Sequence, residues 1–181
     1  QLEAALLSDE LFKPFAEENH LAASERVQGI LSTLLAVYEE FGGYETPQIA
    51  IVAWRHARAL AAFEHMKRYF ESKGYKTVVA DPRELQYKGG KLYHKGFRVH
   101  LAYRAIAFEE ILERLDEVQD LLRAYKDKAV CLVNPLRSRL ASSKSIVSLL
   151  TTPECDRYFT ENENDMKRQH LPWTRCLSDA E

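Results

Sequence analysis

The run IAIVAW (49–54) is short, continuous and rich in β-branched residues, with no polar position in alternation. A strand of that texture buries both faces, as in a parallel sheet covered on each side, and does not suit a half-solvated antiparallel one. KTVVADP (76–82), VHLAYR (99–104) and AVCLV (129–133) read as further strands. Between the first two lies a helical stretch with Leu60, Phe63, Lys67 and Phe70 on one side, closed by Gly74. Strand, helix and strand in this order make a βαβ unit, expected to cross over right-handed. LQYKGGKLYHKGFRVHLAYR (85–104) alternates around Gly89-Gly90, which predicts a β-hairpin whose later arm continues into VHLAYR as a sheet strand. Tyr87 and Tyr93 on it read as a cross-strand pair.

The remaining segments read as helices. Val27, Ile30, Leu31, Leu34, Leu35, Tyr38 and Phe41 recur every three or four residues until Gly42-Gly43 stops them. Phe108, Ile111, Leu112, Leu115, Val118, Leu122 and Tyr125 predict one long amphipathic helix, and Thr160 with Glu163 has the form of a capping box. The expected architecture is α/β: a parallel-rich sheet of four or more strands with helices on both faces. It divides into an N-terminal helical segment over 1–46 and an α/β domain over 47–181.

Composition narrows the function classes. A formal charge of -2 over 181 residues gives no global basic field for nucleic acid, so any electrostatic recognition is local. Cys131, Cys155 and Cys176 are odd in number and form no CxxC pair, which favours reduced thiols in a cytoplasm over disulfides or zinc. No signal-peptide pattern and no membrane-spanning apolar run is present. The start without Met and the ending CLSDAE suggest a piece of a longer protein.

In open sheets of this kind ligands bind beyond the carboxyl ends of the strands. After the first strand stand Trp54, Arg55, His56 and Arg58; after VHLAY comes Arg104; after AVCLV come Asn134, Arg137, Ser138, Arg139 and, across a loop, Lys144. So many cations on one edge of a slightly acidic chain point to an anionic ligand. Other readings stand beside this one. Arg55 and His56 also suit a solvated helix start, and Arg104 also suits an ion pair with Glu109 or Glu110. Asn134-Pro135 equally suits a simple strand stop. Lys144 in a first helical turn opposes the macrodipole, a cost that a bound anion offsets, while Ser142 or Ser143 serves as N-cap.

Other chemistries lack their patterns. There is no GxGxxG, no GxxxxGK[ST] and no GxSxG. His56 has no partner at ligand spacing for a metal. Cys131 sits mid-strand as core, and Asp81 with Glu84 is a pairing common on surfaces.

The tail HLPWTR (170–175) adds to this reading. Together with Asn134-Pro135 ahead of SSKSIVSLL (142–150), and with Tyr103-Arg104 closing a strand, it resembles the circularly permuted ATP-grasp ligases related to glutathionylspermidine synthase. The resemblance covers about residues 48–177, with Pro172-Trp173-Thr174-Arg175 its most specific element. It implies a Rossmann-like pre-ATP-grasp domain that forms the substrate side of a cleft in an enzyme joining a carboxylate to an amine with ATP and magnesium. The nucleotide-gripping module of the same polypeptide would follow Arg175. This chain is then expected to bind no cofactor tightly, to be inactive alone, to take a small anionic or peptide-like substrate, and to engage neither nucleic acid nor membrane. The residues expected to hold the substrate are Arg55, His56, Arg104, Asn134, Ser138, Arg139, Lys144 and Arg175. The rival expectation is a non-catalytic binding or scaffold module in which the stripe on 27–41 docks a partner.

Overall fold

The computed structural model describes residues 9–20 and 26–175. Its helices are α1 (Lys13–Glu18), α2 (Arg26–Glu40), α3 (Leu60–Ser72), α4 (Phe108–Glu113), α5 (Gln119–Lys126), α6 (Ser138–Ser142), α7 (Ser145–Leu150) and α8 (Glu161–His170). Its strands are β1 (Ile49–Val52), β2 (Thr77–Ala80), β3 (Leu85–Lys88), β4 (Lys91–His94), β5 (Phe97–Val99), β6 (Leu101–Arg104) and β7 (Cys131–Val133). Cys176 lies outside the described residues, as does part of the N-terminal helical segment. The chain divides into two compact units, one ending at Val133 and the other beginning at Asn134.

The first unit is an α/β fold on a four-stranded sheet in the order β2-β1-β6-β7. Every pairing in it is parallel, with Ile49 beside both Thr77 and Leu101, and Leu101 beside Cys131. All residues of β1 and β7 are buried, as the texture of IAIV and CLV requires. Side chains alternate between sheet faces. On one face Ile49, Ile51, Leu101, Cys131 and Val133 pack with Leu31, Leu34 and Tyr38 of α2 and with Met66 and Phe70 of α3. On the other face Ala50, Val52, Ala102 and Leu132 are buried as well. Burying a side chain as large as Leu34 or Phe70 is worth about 1.5–3 kcal/mol. A glycine is needed where α2 turns toward β1, because a Cβ on Gly43 would stand 2.2 Å from the Tyr38 ring.

The structure corrects the sequence reading in three places. The hairpin is a three-stranded antiparallel meander, β3-β4-β5. Gly89 and Gly90 (φ +56° and +70°) turn it once, and Lys95 and Gly96 (φ +49° and +86°) turn it again. Positive φ at both central residues gives the twist that tight hairpins need, so the apparent long arm is cut and β6 joins the parallel sheet instead. The expected long helix over 108–125 is also cut. Arg114, at φ -130° and ψ 36°, ends α4, and a 3-10 turn over Leu115–Val118 leads into α5. Leu112 and Leu115, read as part of one apolar face, are therefore exposed. Finally, the stretch between Asn134-Pro135 and Lys144, expected as a loop, carries the short helix α6.

The second unit holds α6, α7, a 3-10 turn over Pro153–Tyr158, and α8. The expected capping box is formed: Thr160 Oγ1 accepts from the Glu163 N–H at 3.4 Å, and Glu163 Oε2 accepts from the Thr160 N–H at 2.8 Å. No helix among the described residues is long and apolar enough to cross a membrane.

Candidate functional site

The strand order fixes where the first unit can offer a site. The chain leaves β1 toward β2 on one side and later returns to place β6 on the other, so order reverses between β1 and β6. At such a reversal the segments leaving the two strands diverge and open a crevice beyond their carboxyl ends. Val52 and Arg104 are register partners there, and the Ala105 N–H donates to the Val52 carbonyl at 2.9 Å. Of the residues the sequence assigned to this edge, Arg104 is the last residue of β6, and Arg55 and His56 stand just beyond the end of β1.

Asp81 organises the edge. It follows β2, and its carboxylate accepts from the Arg55 N–H at 2.9 Å and from the Arg83 N–H at 3.0 Å. Arg83 also grips it with its side chain, Nε and Nη2 each donating at 2.8 Å. Burial raises the Asp81 pKa, but the Arg83 side chain, the two backbone donors and the Arg83 charge outweigh it and hold the value at about 2. The same bonds raise the Arg83 pKa. Asp81 is thus a buried anchor that is ionised at neutral pH, and its pKa is too low for a general acid or base.

Trp54 is the second organiser. It is 2% exposed, with the Arg114 guanidinium 4.8 Å and the Arg83 guanidinium 5.6 Å from its ring. The His56 ring stacks beside it at 6.3 Å and 14°. Its buried Nε1–H has no hydrogen-bond acceptor. Sequence reading missed Arg83 and Arg114. The available signal for Arg83 was Asp-Pro-Arg directly after a buried strand, where an Asp caps the next turn. Nothing in sequence places Arg114 over Trp54.

Two of the expected ligand groups also serve the protein. Arg55 pairs with Glu84, which further accepts from Lys95 at 3.0 Å and stands 3.1 Å from His94. The hydrogen bonds to Lys95 and His94, more than the charges nearby, hold the Glu84 pKa below the usual range. Arg104 donates to the Ile106 carbonyl. Burial lowers its pKa, while the charge of Glu109 acts to restore it. Cys131 is no nucleophile, since burial pushes its pKa up to about 11.

The other expected residues belong to the second unit. Asn134 is exposed directly after β7, and Ser138 opens α6. Arg139 Nη1 donates to Ser142 Oγ at 3.3 Å, and Ser142 Oγ to the Arg139 carbonyl at 3.0 Å. Ser143 does the capping of α7: it is extended (φ -76°, ψ 134°), and its Oγ accepts from the Ser145 N–H at 3.3 Å. Lys144 already has helical angles, but α7 is only 6 residues long. Its dipole is correspondingly small, which removes the electrostatic conflict that singled Lys144 out. Arg175 Nη1 donates to Thr151 Oγ1 at 2.9 Å and to the Thr174 carbonyl at 2.7 Å, and Nη2 to the Thr151 carbonyl at 3.2 Å. This cation fastens the PWTR segment to the carbonyl end of α7.

Among the described residues no group of three His, Cys, Asp or Glu is placed to hold a metal ion. Fold and edge together define an α/β domain with an arginine-rich rim at the sheet's reversal point. Compared with known proteins, the chain matches no family profile, and no curated protein matches it at a significant level.

Proposed function

We propose that this chain is the substrate-side, pre-ATP-grasp-like domain of an ATP-dependent carboxylate–amine ligase resembling glutathionylspermidine synthase, and that it holds an anionic substrate at the carboxyl edge of the parallel sheet. The observation that carries this reading is the reversal of strand order between β1 and β6, with Arg55, His56 and Arg104 at the strand ends. Asp81 gives that edge a fixed frame by tying the Arg55 backbone to the turn after β2. An arginine fork matches a carboxylate, and each sheltered charge-assisted bond is worth about 1.5–3 kcal/mol. Activation of the carboxylate by ATP and magnesium belongs to the separate module that the resemblance implies. This chain's part is to bind and orient.

The test uses the full-length protein. Arg104→Ala and Arg55→Ala are each expected to raise the KM for the carboxylate substrate about 10- to 100-fold, with Arg104→Lys partly retaining it. Unchanged KM and kcat in both alanine variants would overturn the assignment. The rival scaffold reading relied on a free stripe along 27–41. Leu31, Leu34 and Tyr38 of that stripe are packed in the core, which counts against it.

A further inference from the structure

The sheet edge holds two donors from which no group among the described residues accepts. Trp54 stands just past β1 and is 2% exposed, and its buried indole Nε1–H has no acceptor. A buried donor left without a partner costs free energy and calls for an explanation. The second is the guanidinium of Arg114, half-buried and 4.8 Å from the centre of the same indole ring. Among the described residues neither a carboxylate nor a carbonyl holds that guanidinium.

The charges that meet at Trp54 from the turn after β2 are matched. Arg83, 5.6 Å from the ring, grips Asp81 through Nε and Nη2 and has Nη1 3.6 Å from Glu117. Arg55 pairs with Glu84, which Lys95 also holds. Arg114 is the cation left over. A guanidinium and an indole N–H both donate and neither accepts. The group that answers both is therefore an acceptor, and the uncompensated charge requires it to be negative; a neutral hydroxyl or amide would satisfy the N–H but not the charge. We propose that Trp54 Nε1–H and Arg114 together bind one oxyanion, a carboxylate or a phosphate, at the reversal point of the sheet. This rests on the reading of the edge as an anion site and names the grip within it. Nε1 is closed to water as the site stands, so a side chain has to move. Of the two guanidiniums over the ring, Arg83 is fixed by its hydrogen bonds to Asp81, whereas among the described residues the ring contact alone holds that of Arg114. A cation–π contact is weaker than a charge-assisted bond to an oxyanion. Arg114 thus turns from the indole onto the arriving anion, and Nε1–H becomes the second donor.

The chain as it stands suffices for the test. In the isotope-labelled protein the indole N–H signals of Trp54 and Trp173 are told apart with Trp173→Phe. Sodium acetate and sodium phosphate are titrated at constant ionic strength beside acetamide, the neutral isostere of acetate, and ethylammonium chloride. The Trp54 signal is expected to move downfield and saturate at millimolar oxyanion. The tighter of the two anions identifies the group as carboxylate or phosphate, while acetamide and ethylammonium should leave the signal in place. Arg114→Gln should weaken anion binding about 10- to 100-fold, and Trp54→Phe about 3- to 10-fold as read from the Arg114 Nε–H signal. Because the native Trp54 signal needs no variant, it decides if Trp54→Phe disturbs the core. A Trp54 signal unmoved by both anions, an equal response to acetamide, or full anion affinity in Arg114→Gln would each overturn the inference. Full affinity in Arg114→Gln with the KM of the full-length protein still raised by Arg104→Ala overturns this grip alone. No anion response together with an unchanged KM overturns the edge reading with it.

Discussion

In the first unit every residue of β1 and β7 is buried, and a carboxylate as deep as Asp81 is saturated with donors. In the second, α6 and α8 bury none of their residues, while Leu140, Leu149, Tyr158, Met166 and Trp173 remain exposed. Order there rests on local bonds from side chain to backbone: the Thr160–Glu163 box, the Asn164 amide on the Asp156 carbonyl, and the Arg175 clasp. Hydrophobic burial scales with the area removed from water, whereas a single hydrogen bond contributes on the order of 1 kcal/mol net. The two units should therefore respond to the same kind of damage on different scales.

The largest expected effect is Phe70→Ala, which empties a fully buried site under the sheet and should cost about 3–5 kcal/mol in urea unfolding. Leu149→Ala, at a residue 56% exposed in the second unit, should stay within about 0.5 kcal/mol. Equal losses would abolish the contrast between the units.

Acid titration gives the next effect. The folded Asp81 pKa, about 2, lies below its ordinary value of 3.8. Its contribution is fully present above the unfolded value and is lost as pH falls from about 4 through about 2, amounting to about 2 kcal/mol. Urea midpoints measured across that window should fall in the native protein, and the part due to Asp81 should vanish in Asp81→Asn.

Arg175→Ala should cost about 1–2 kcal/mol locally. Faster amide exchange around Thr151 and a shift in Trp173 emission should report it, with the amides of the parallel sheet unchanged. Exchange that quickens across both units would instead show that the clasp supports more than its own segment.

The smallest effect concerns His100. Its Nδ1 accepts from the Gln48 N–H at 3.1 Å, which assigns the proton to Nε2, 3.4 Å from Glu45. Burial, then the Arg98 charge, lowers its pKa, with Glu45 opposing. Its contribution is present above about pH 6.5 and is lost as pH falls through the folded value. Imidazole nitrogen shifts should show the Nε2–H tautomer at neutral pH; the other tautomer would refute the assignment.

Much of the first unit was legible in the residues. IAIV and CLV are apolar at every position, and only a sheet covered on both faces accommodates that. Gly89-Gly90 marked a hairpin because few other residues take positive φ twice in succession. The break at Arg114 was illegible, since the apolar period runs through it and the residue is a good helix former. The edge was legible in part: a strand end announces Arg55, His56 and Arg104, but Asp81 and Glu84, which hold Arg55, come from another segment of the chain.

Sequence alone determined where most strands and helices lie, though not the break at Arg114 or the turn at Lys95-Gly96, because periodicity and turn chemistry act over a few residues. It also determined which side chains follow the strand ends. Tertiary structure decided what those side chains do: that Asp81 is a buried anion tied to the Arg55 backbone, that two arginines cover Trp54, and that Arg175 fastens a helix end. Each depends on groups brought together by strand order or helix packing, and the energy of a charge or hydrogen bond is set by its surroundings in space, which the order of residues does not state.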